Sequence, residues 1–253
     1  MDAPHQTSDK RVPGLSVESP GSAMASHEST DHGQTSSVAE AVHARLAEGG
    51  RSISFEFFPP RDETGESQLW RTLGVLQEQR PTFVSVTYGA GGTTRETTVE
   101  VAGRIARETP LLPLAHLTCV GHTADELRGI LESLHSHGVH NILALRGDPP
   151  TGPGTPWRPV KDGFSYASEL VELAAGEAHF GVGVAAFPEG HREAASLAQD
   201  VEVLLAKQRV GAEFAITIDE LATKQDLFKR NEDLKNAFSA LLSADMADKV
   251  ARA

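Results

Sequence analysis

A glutamate set among aromatic residues, Glu56, has the sequence surroundings of a general acid. The run Ile53–Phe58 is rich in residues that favour an extended strand, and Pro59-Pro60 ends it because a proline cannot donate to a ladder. Lost hydration beside phenylalanine raises the pKa of a carboxylic acid, which suits proton donation near neutral pH. The alternative interpretation is a strand-end carboxylate that points to solvent or pairs with Arg61.

A second carboxylate, Asp148, follows another strand-like run, within the segment Arg146–Pro150. An aspartate at a strand-to-turn junction commonly hydrogen-bonds its own backbone, so its residue type alone leaves a structural and a functional role open. The run Gly89–Gly92 allows a ligand to approach the backbone closely, although a glycine run is by itself a weak signal.

Three histidines, His135, His137 and His140, have a spacing that invites comparison with metal ligands. They straddle a predicted helix end at Gly138, where histidine suits the helix dipole, and no matching ligand set lies near them in the sequence. We therefore expect no metal site. The single cysteine, Cys119, lies inside a strand motif and is predicted to be a buried, small apolar residue.

These side chains must be positioned by a repeated alternation of strands and helices. Strand-like runs begin near Ser52, Thr82, Leu112, Asn141, Gly181 and Ala212. Helical spacing is marked by Val38, Val42 and Leu46, by Leu69, Leu73 and Leu76, by Val99, Val101 and Ile105, by a capping box at Thr123–Glu126, and by about Tyr166–Ala175 and Glu193–Gln208. Units of roughly 30 residues predict a parallel α/β sheet with right-handed crossovers. The candidate closed form is the (β/α)8 TIM barrel, whose sites lie at the carboxyl ends of the strands.

Fewer strand-like runs are found than a closed barrel needs, so the predicted barrel is incomplete, with six recognisable strands instead of eight. Residues 1–37 are poor in apolar side chains and are predicted to be disordered, and residues 38–218 form the barrel domain. Residues 219–253 are predicted to be a charged helical tail with leucines one heptad apart, either in a coiled coil or as a solvated helix over a barrel edge.

Composition excludes several classes of protein. The formal net charge of −12 argues against nucleic acid or an anionic membrane as the main partner. No apolar run approaches the roughly 18 residues that a membrane span requires, and the N-terminus lacks the pattern of a secretory signal. A single cysteine fits a reducing compartment, so we expect a cytoplasmic protein.

Five strand-end motifs occur in a fixed order, and together they are far more specific than any one of them. They are FEFFPPR (55–61), VSVTYGAGG (84–92), AHLTC (115–119), ALRGDPP (144–150) and AAFPEGH (185–191). In these motifs the sequence from about Ser52 to Thr217 resembles the methylenetetrahydrofolate reductase family, and the tail beyond it does not. The resemblance implies that NADH or NADPH reduces a bound FAD and that hydride then passes to 5,10-methylenetetrahydrofolate, giving 5-methyltetrahydrofolate for methionine synthesis.

The resemblance also implies roles for single residues. Glu56 matches the family's proton donor to the amine that leaves when the methylene bridge opens. Asp148 matches a carboxylate between flavin and pterin, where its charge would stabilise a cationic iminium. Both would therefore be catalytic and bind the folate substrate. The implied cofactor-binding residues are Thr87 (on the nicotinamide side), Tyr88, Ala90, His116, Arg146, Gly147, Asp148, Ala167, Phe187, His191, Ala194, Asp200 and Lys207.

Some positions depart from the family pattern. Phe187 stands where many relatives have tyrosine, and Val203 and Ala206 replace polar or basic residues on the cofactor side. Ile218 replaces a glutamine that hydrogen-bonds the pterin. The expected partners are the folate, the nicotinamide cofactor and a further copy of the chain in a homo-oligomer. The alternative is a truncated, catalytically impaired flavin-binding barrel, or an interaction protein with a helical tail.

Overall fold

The computed structural model describes residues 37–89, 95–149, 155–177, 179–188, 190–191 and 193–217. The predictions of a disordered N-terminal segment, of a helical tail and of roles for Ala90 and Ile218 lie outside these residues, apart from Ser37 at the segment's end.

Helices and strands alternate along the described chain. The helices are α1 (Val38–Ala47), α2 (Glu63–Leu76), α3 (Arg95–Glu108), α4 (Ala124–Ser136), α5 (Ala167–Gly176) and α6 (Leu197–Arg209). The strands are β1 (Ser54–Phe57), β2 (Phe83–Val86), β3 (Pro113–Thr118), β4 (Asn141–Leu145), β5 (Gly181–Ala186) and β6 (Phe214–Thr217).

The strands form one parallel sheet in the order β1-β2-β3-β4-β5-β6, so each strand pairs with its neighbour in sequence. Each pair is joined by a crossover helix, as the alternation predicts. Within the described ranges β1 pairs only with β2, and β6 only with β5, so the sheet is an open half-barrel. The prediction of an incomplete TIM-barrel-type fold with six strands is confirmed.

The two faces of the sheet carry different cores because side chains alternate along a strand. Val84, Val86 and Leu117 belong to the large cluster packed against the crossover helices. Phe83, Leu114 and Leu143 point to the other face and pack with Val38 of α1. The helix α1 therefore covers part of this second face, which we call the inner face of the sheet. The Val38 amide also donates there to Asn141 Oδ1 (2.8 Å).

Helix starts follow from local capping. Thr123 and Glu126 form the predicted capping box at the start of α4. The prediction that the last helix begins near Glu193 is wrong, because the Ser196 hydroxyl accepts from the Gln199 amide and α6 begins at Leu197. No helix in the described part of the chain is long and apolar enough to cross a membrane.

Candidate active site

The predicted functional side chains lie at or just beyond the carboxyl ends of the strands, as expected. Glu56 is the third residue of β1, and His116 lies within β3. Thr87 follows β2 directly, and Phe187 follows β5 directly. Asp148 lies three residues beyond β4 and is exposed. Because the strands are parallel, all of these positions meet at one edge of the sheet.

A polar group on the inner face contains Glu56, Ser85 and His116. Glu56 pairs in register with Ser85, whose hydroxyl donates to Glu56 Oε2 at 3.5 Å. His116 Nε2 lies 3.4 Å from the same oxygen, yet this buried atom forms no hydrogen bond within the described structure. Burial lowers the pKa of His116 to about 4, so the imidazole is neutral near pH 7.

The expected loss of hydration at Glu56 is wrong in this structure. The side chain is 52% exposed, and Phe58 beyond it is 75% exposed. Phe55 and Phe57 pack toward the crossover helices, because strand alternation turns them to the face opposite Glu56. Aromatic neighbours in the sequence are therefore not neighbours of the carboxylate in space.

A cleft of about 600 Å³ is bounded by the carboxyl end of β5, the amino end of β6 and the helices α5 and α6. It is lined by these predicted cofactor-binding residues: Arg146, Ala167, Phe187, His191, Ala194, Asp200 and Lys207. Leu197, Val203, Leu204 and Ala206 make the α6 side of its wall largely apolar.

The cleft lining contains two cations, Arg146 and Lys207, together with the carboxylates of Glu193, Asp200 and Glu213. The Arg146 guanidinium forms a bidentate pair with Glu193, with Nη1–Oε2 at 2.6 Å and Nη2–Oε1 at 2.8 Å, and it lies 5.4 Å from the centre of the Trp157 ring. The hydrogen bonds that Arg146 donates to the Glu193 carboxylate raise the pKa of Arg146. Burial lowers the pKa of Lys207, against the opposing effect of the Asp200 carboxylate.

The loop between β5 and α6 is held by its own polar contacts. Asp200 Oδ2 accepts from the His191 amide at 2.9 Å, and the His191 ring packs edge-on to Phe187 with their centres 5.0 Å apart. Asp200 therefore has a structural contact in addition to its place in the cleft wall.

Five predicted cofactor residues that the structure describes do not line the cleft; they lie on or after β2, β3 and β4, and they are Thr87, Tyr88, His116, Gly147 and Asp148. Tyr88 Oη lies 3.0 Å from His122 Nε2, and burial raises the pKa of Tyr88, so the phenol is neutral. Thr87 accepts through its carbonyl, from Thr98 Oγ1 (3.0 Å). Gly147 has φ +84°, and a Cβ there would lie 2.6 Å from Val120 Cγ1, so the turn before Asp148 requires glycine. His116, on the inner face, is likewise outside the cleft lining.

Sequence reasoning missed Ser85 and Glu193. Ser85 was recoverable, because matching the FEF and VSV motifs as neighbouring parallel strands sets it opposite Glu56. No sequence signal indicates Glu193, whose contact with Arg146 depends on the loop between β5 and α6.

Two further predictions concern Cys119 and the group of histidines around His135. Cys119 is 2% exposed, which confirms the buried apolar role, and burial raises the pKa of its thiol to about 12. His135 has His140 and His179 as ring neighbours, at 5.0 and 4.4 Å between ring centres. Within the part of the chain that the structure describes, no group of three or more His, Cys, Asp or Glu residues is arranged to hold a metal ion.

An open parallel sheet with polar groups along its carboxyl edge defines a protein of the (β/α)8-barrel class. The fold is similar to the crystal structure of 2,3-dimethylmalate lyase, a PEP mutase/isocitrate lyase superfamily member, with a TM-score of 0.50 and 11% identity over 79% of this chain and 68% of that chain. At that identity the likeness shows the fold alone.

The family described as methylenetetrahydrofolate reductase matches residues 41–240, and the chain belongs to that family. It is 43% identical over 180 residues to 5,10-methylenetetrahydrofolate reductase of Salmonella typhimurium (strain LT2), covering 70% of this chain and 58% of that protein. It is 35% identical over 202 residues to methylenetetrahydrofolate reductase (NADH) 1 of Arabidopsis thaliana, covering 76% of this chain and 34% of that protein.

The extent of these matches corrects one expectation. The family match continues past Thr217 to residue 240, so the prediction that the resemblance ends at Thr217 is wrong. The chain spans 58% of the length of the Salmonella relative that it matches.

Proposed function

We propose that this chain binds FAD and reduces 5,10-methylenetetrahydrofolate to 5-methyltetrahydrofolate, with NADH or NADPH as electron donor. Family membership supports the reaction, and the Arabidopsis relative is named for NADH. The observation that carries the proposal is the cleft bounded by β5, β6, α5 and α6, whose lining contains seven of the thirteen predicted cofactor-binding residues.

The residues present fit FAD. A cleft of about 600 Å³ is within the usual size of a cofactor site, and Arg146 and Lys207 supply two cations for its phosphates. The unsatisfied Nε2 of neutral His116 supplies a buried polar atom for a flavin oxygen or nitrogen. Phe187 offers an aromatic face, while Val203 and Ala206 contribute apolar contact instead of phosphate donors. When bound, FAD supplies the hydride chemistry.

Three residues of the chain would act on the folate substrate or position the group that does. Opening the methylene bridge breaks a carbon–nitrogen bond, and Glu56, as a carboxylic acid, would donate its proton to the leaving amine nitrogen. Its 52% exposure leaves room for a pterin to contact it directly. The Asp148 carboxylate would stabilise the cationic iminium electrostatically. Ser85, which donates to Glu56, would hold the side chain in place.

The proposed reaction requires the folate and the nicotinamide cofactor as binding partners. The family resemblance further suggests a homo-oligomer, and the net charge of −12 argues against nucleic acid or an anionic membrane as the main partner. The single cysteine, Cys119, supports a reducing, cytoplasmic location.

The test is a visible absorption spectrum of the purified protein before and after added FAD, followed by anaerobic addition of NADH or NADPH. We expect a flavin band near one equivalent per chain that bleaches with one of the two donors. A colourless protein that takes up no FAD would contradict the proposal. A flavin band that neither donor bleaches would instead favour a catalytically impaired flavin-binding barrel.

A further inference from the structure

The Arg146–Glu193 pair lies in the wall of the cleft, where an anionic ligand would enter. Both terminal nitrogens of Arg146 donate to the two carboxylate oxygens of Glu193, so this face of the guanidinium is fully occupied. Arg146 is 19% exposed, and Glu193, on the solvent side, is 49% exposed. A phosphate presents the same arrangement of oxygens as a carboxylate, so the two compete for one geometry.

We propose that Glu193 is a competing internal anion that lowers the affinity of the cleft for diphosphate ligands by occupying Arg146 until such a ligand displaces it. This inference rests on the proposed function, because it takes FAD as the principal ligand. A singly bonded or weakly charged anion gains too little from Arg146 to replace a bidentate carboxylate. A diphosphate ester brings more negative charge and also reaches Lys207 in the same cleft.

The local contacts allow displacement. Glu193 comes from the loop between β5 and α6, and its exposure leaves room for the side chain to move into solvent. The Arg146 guanidinium also lies 5.4 Å from the centre of the Trp157 ring, whose Nε1 donates to the Gly147 carbonyl at 3.1 Å. Arg146 would therefore keep its position when Glu193 leaves.

The experiment measures the dissociation constants of FAD and ADP for the apoprotein by isothermal titration calorimetry. The variants are Glu193→Gln, Arg146→Gln and the double variant, with Glu202→Gln on α6 as a control that removes one charge outside the cleft lining. We expect Glu193→Gln to tighten ADP and FAD by about two- to fivefold, the range of a partly exposed ion pair. Glu202→Gln should leave both constants nearly unchanged.

Coupling to Arg146 identifies the cause. With Arg146→Gln already present, Glu193→Gln should change neither constant, because no guanidinium remains to be released. If the wild-type protein binds FAD and Glu193→Gln binds it equally well or more weakly, this inference is overturned. The proposed function would still stand. If neither the wild type nor Glu193→Gln binds FAD or ADP, both the inference and the proposed function are contradicted.

Discussion

At the level of single residues, the role of each polar side chain depends on its neighbours in space. Glu56 has Ser85 and His116 beside it, while the phenylalanines of its own strand face the helices or solvent. The half-exposed Glu56 carboxyl group is accessible to a bound pterin, which is what direct proton donation requires.

The proton-donor role predicts a selective loss of activity. Replacing Glu56 with Gln removes the transferable proton and keeps the shape, so reduction of the folate should slow by about 100-fold or more. Reduction of the flavin by the nicotinamide donor should continue at a similar rate, because it needs no proton donor to the folate. Stopped-flow absorbance separates the two half-reactions. Glu63→Gln, an exposed change at the start of α2, is the control, and an unimpaired folate half-reaction in Glu56→Gln would exclude the role.

Lys207 is the cation most enclosed by the cleft wall. Its replacement by Met should weaken FAD binding by about tenfold or more, because a hydrogen bond to a charged group is lost while the apolar stem is kept. Quenching of flavin fluorescence gives the dissociation constant. Arg209→Gln at the exposed end of α6 removes the same charge outside the cleft and should change the dissociation constant of FAD little. Equal effects of the two substitutions would count against a direct contact between Lys207 and FAD.

At the element scale, sequence patterns specified the strands and most helix positions. Five of the six strands end in a motif rich in Gly, Pro or polar residues, and Thr123–Glu126 is a local capping signal, so both kinds of boundary were predictable. The start of α6 was missed because Ser196 caps it within a segment that already had helical composition. The exposure of Glu56 and its contact with Ser85 depend on which strands are neighbours, which one strand's own sequence does not state.

The capping box of α4 yields a stability prediction. Thr123→Ala removes the hydroxyl that accepts from the Glu126 amide, and it should lower the free energy of unfolding by about 1 kcal/mol. Urea unfolding measures this change. Ser136→Ala at the other end of α4 removes a hydroxyl that donates to the Ser133 carbonyl and lies 3.3 Å from His137 Nδ1, but caps no helix-start amide, so it should cost less. A larger loss from Ser136→Ala would contradict the capping argument.

At the scale of the whole molecule, the buried imidazole of His116 links stability to pH. Burial lowers the pKa of His116 from its ordinary value of 6.5 to about 4. Above pH 6.5 the imidazole is therefore neutral in both the folded and the unfolded chain. As the pH falls below 6.5 the unfolded chain binds the proton first, so stability is lost progressively down to about pH 4. The free energy of unfolding lost over this pH range is about 3 kcal/mol.

His116→Gln should flatten this pH dependence, because it removes the proton-binding group while keeping a polar side chain. Denaturant unfolding at pH 7 and at pH 5 gives the slope for each variant. His43→Gln, on the exposed side of α1, should leave the slope as in the wild type. A slope unchanged in His116→Gln would show that other groups carry the acid sensitivity.

The central claim is that the open sheet and its cleft support folate reduction. Its most direct test is anaerobic addition of 5,10-methylenetetrahydrofolate to the donor-reduced, FAD-loaded protein, while the oxidised flavin absorbance is followed. We predict that the absorbance returns in proportion to 5-methyltetrahydrofolate formed, one per chain, and that Glu56→Gln suppresses the return. Reduced flavin that stays bleached in the wild-type protein, with no methyltetrahydrofolate formed, would contradict the account.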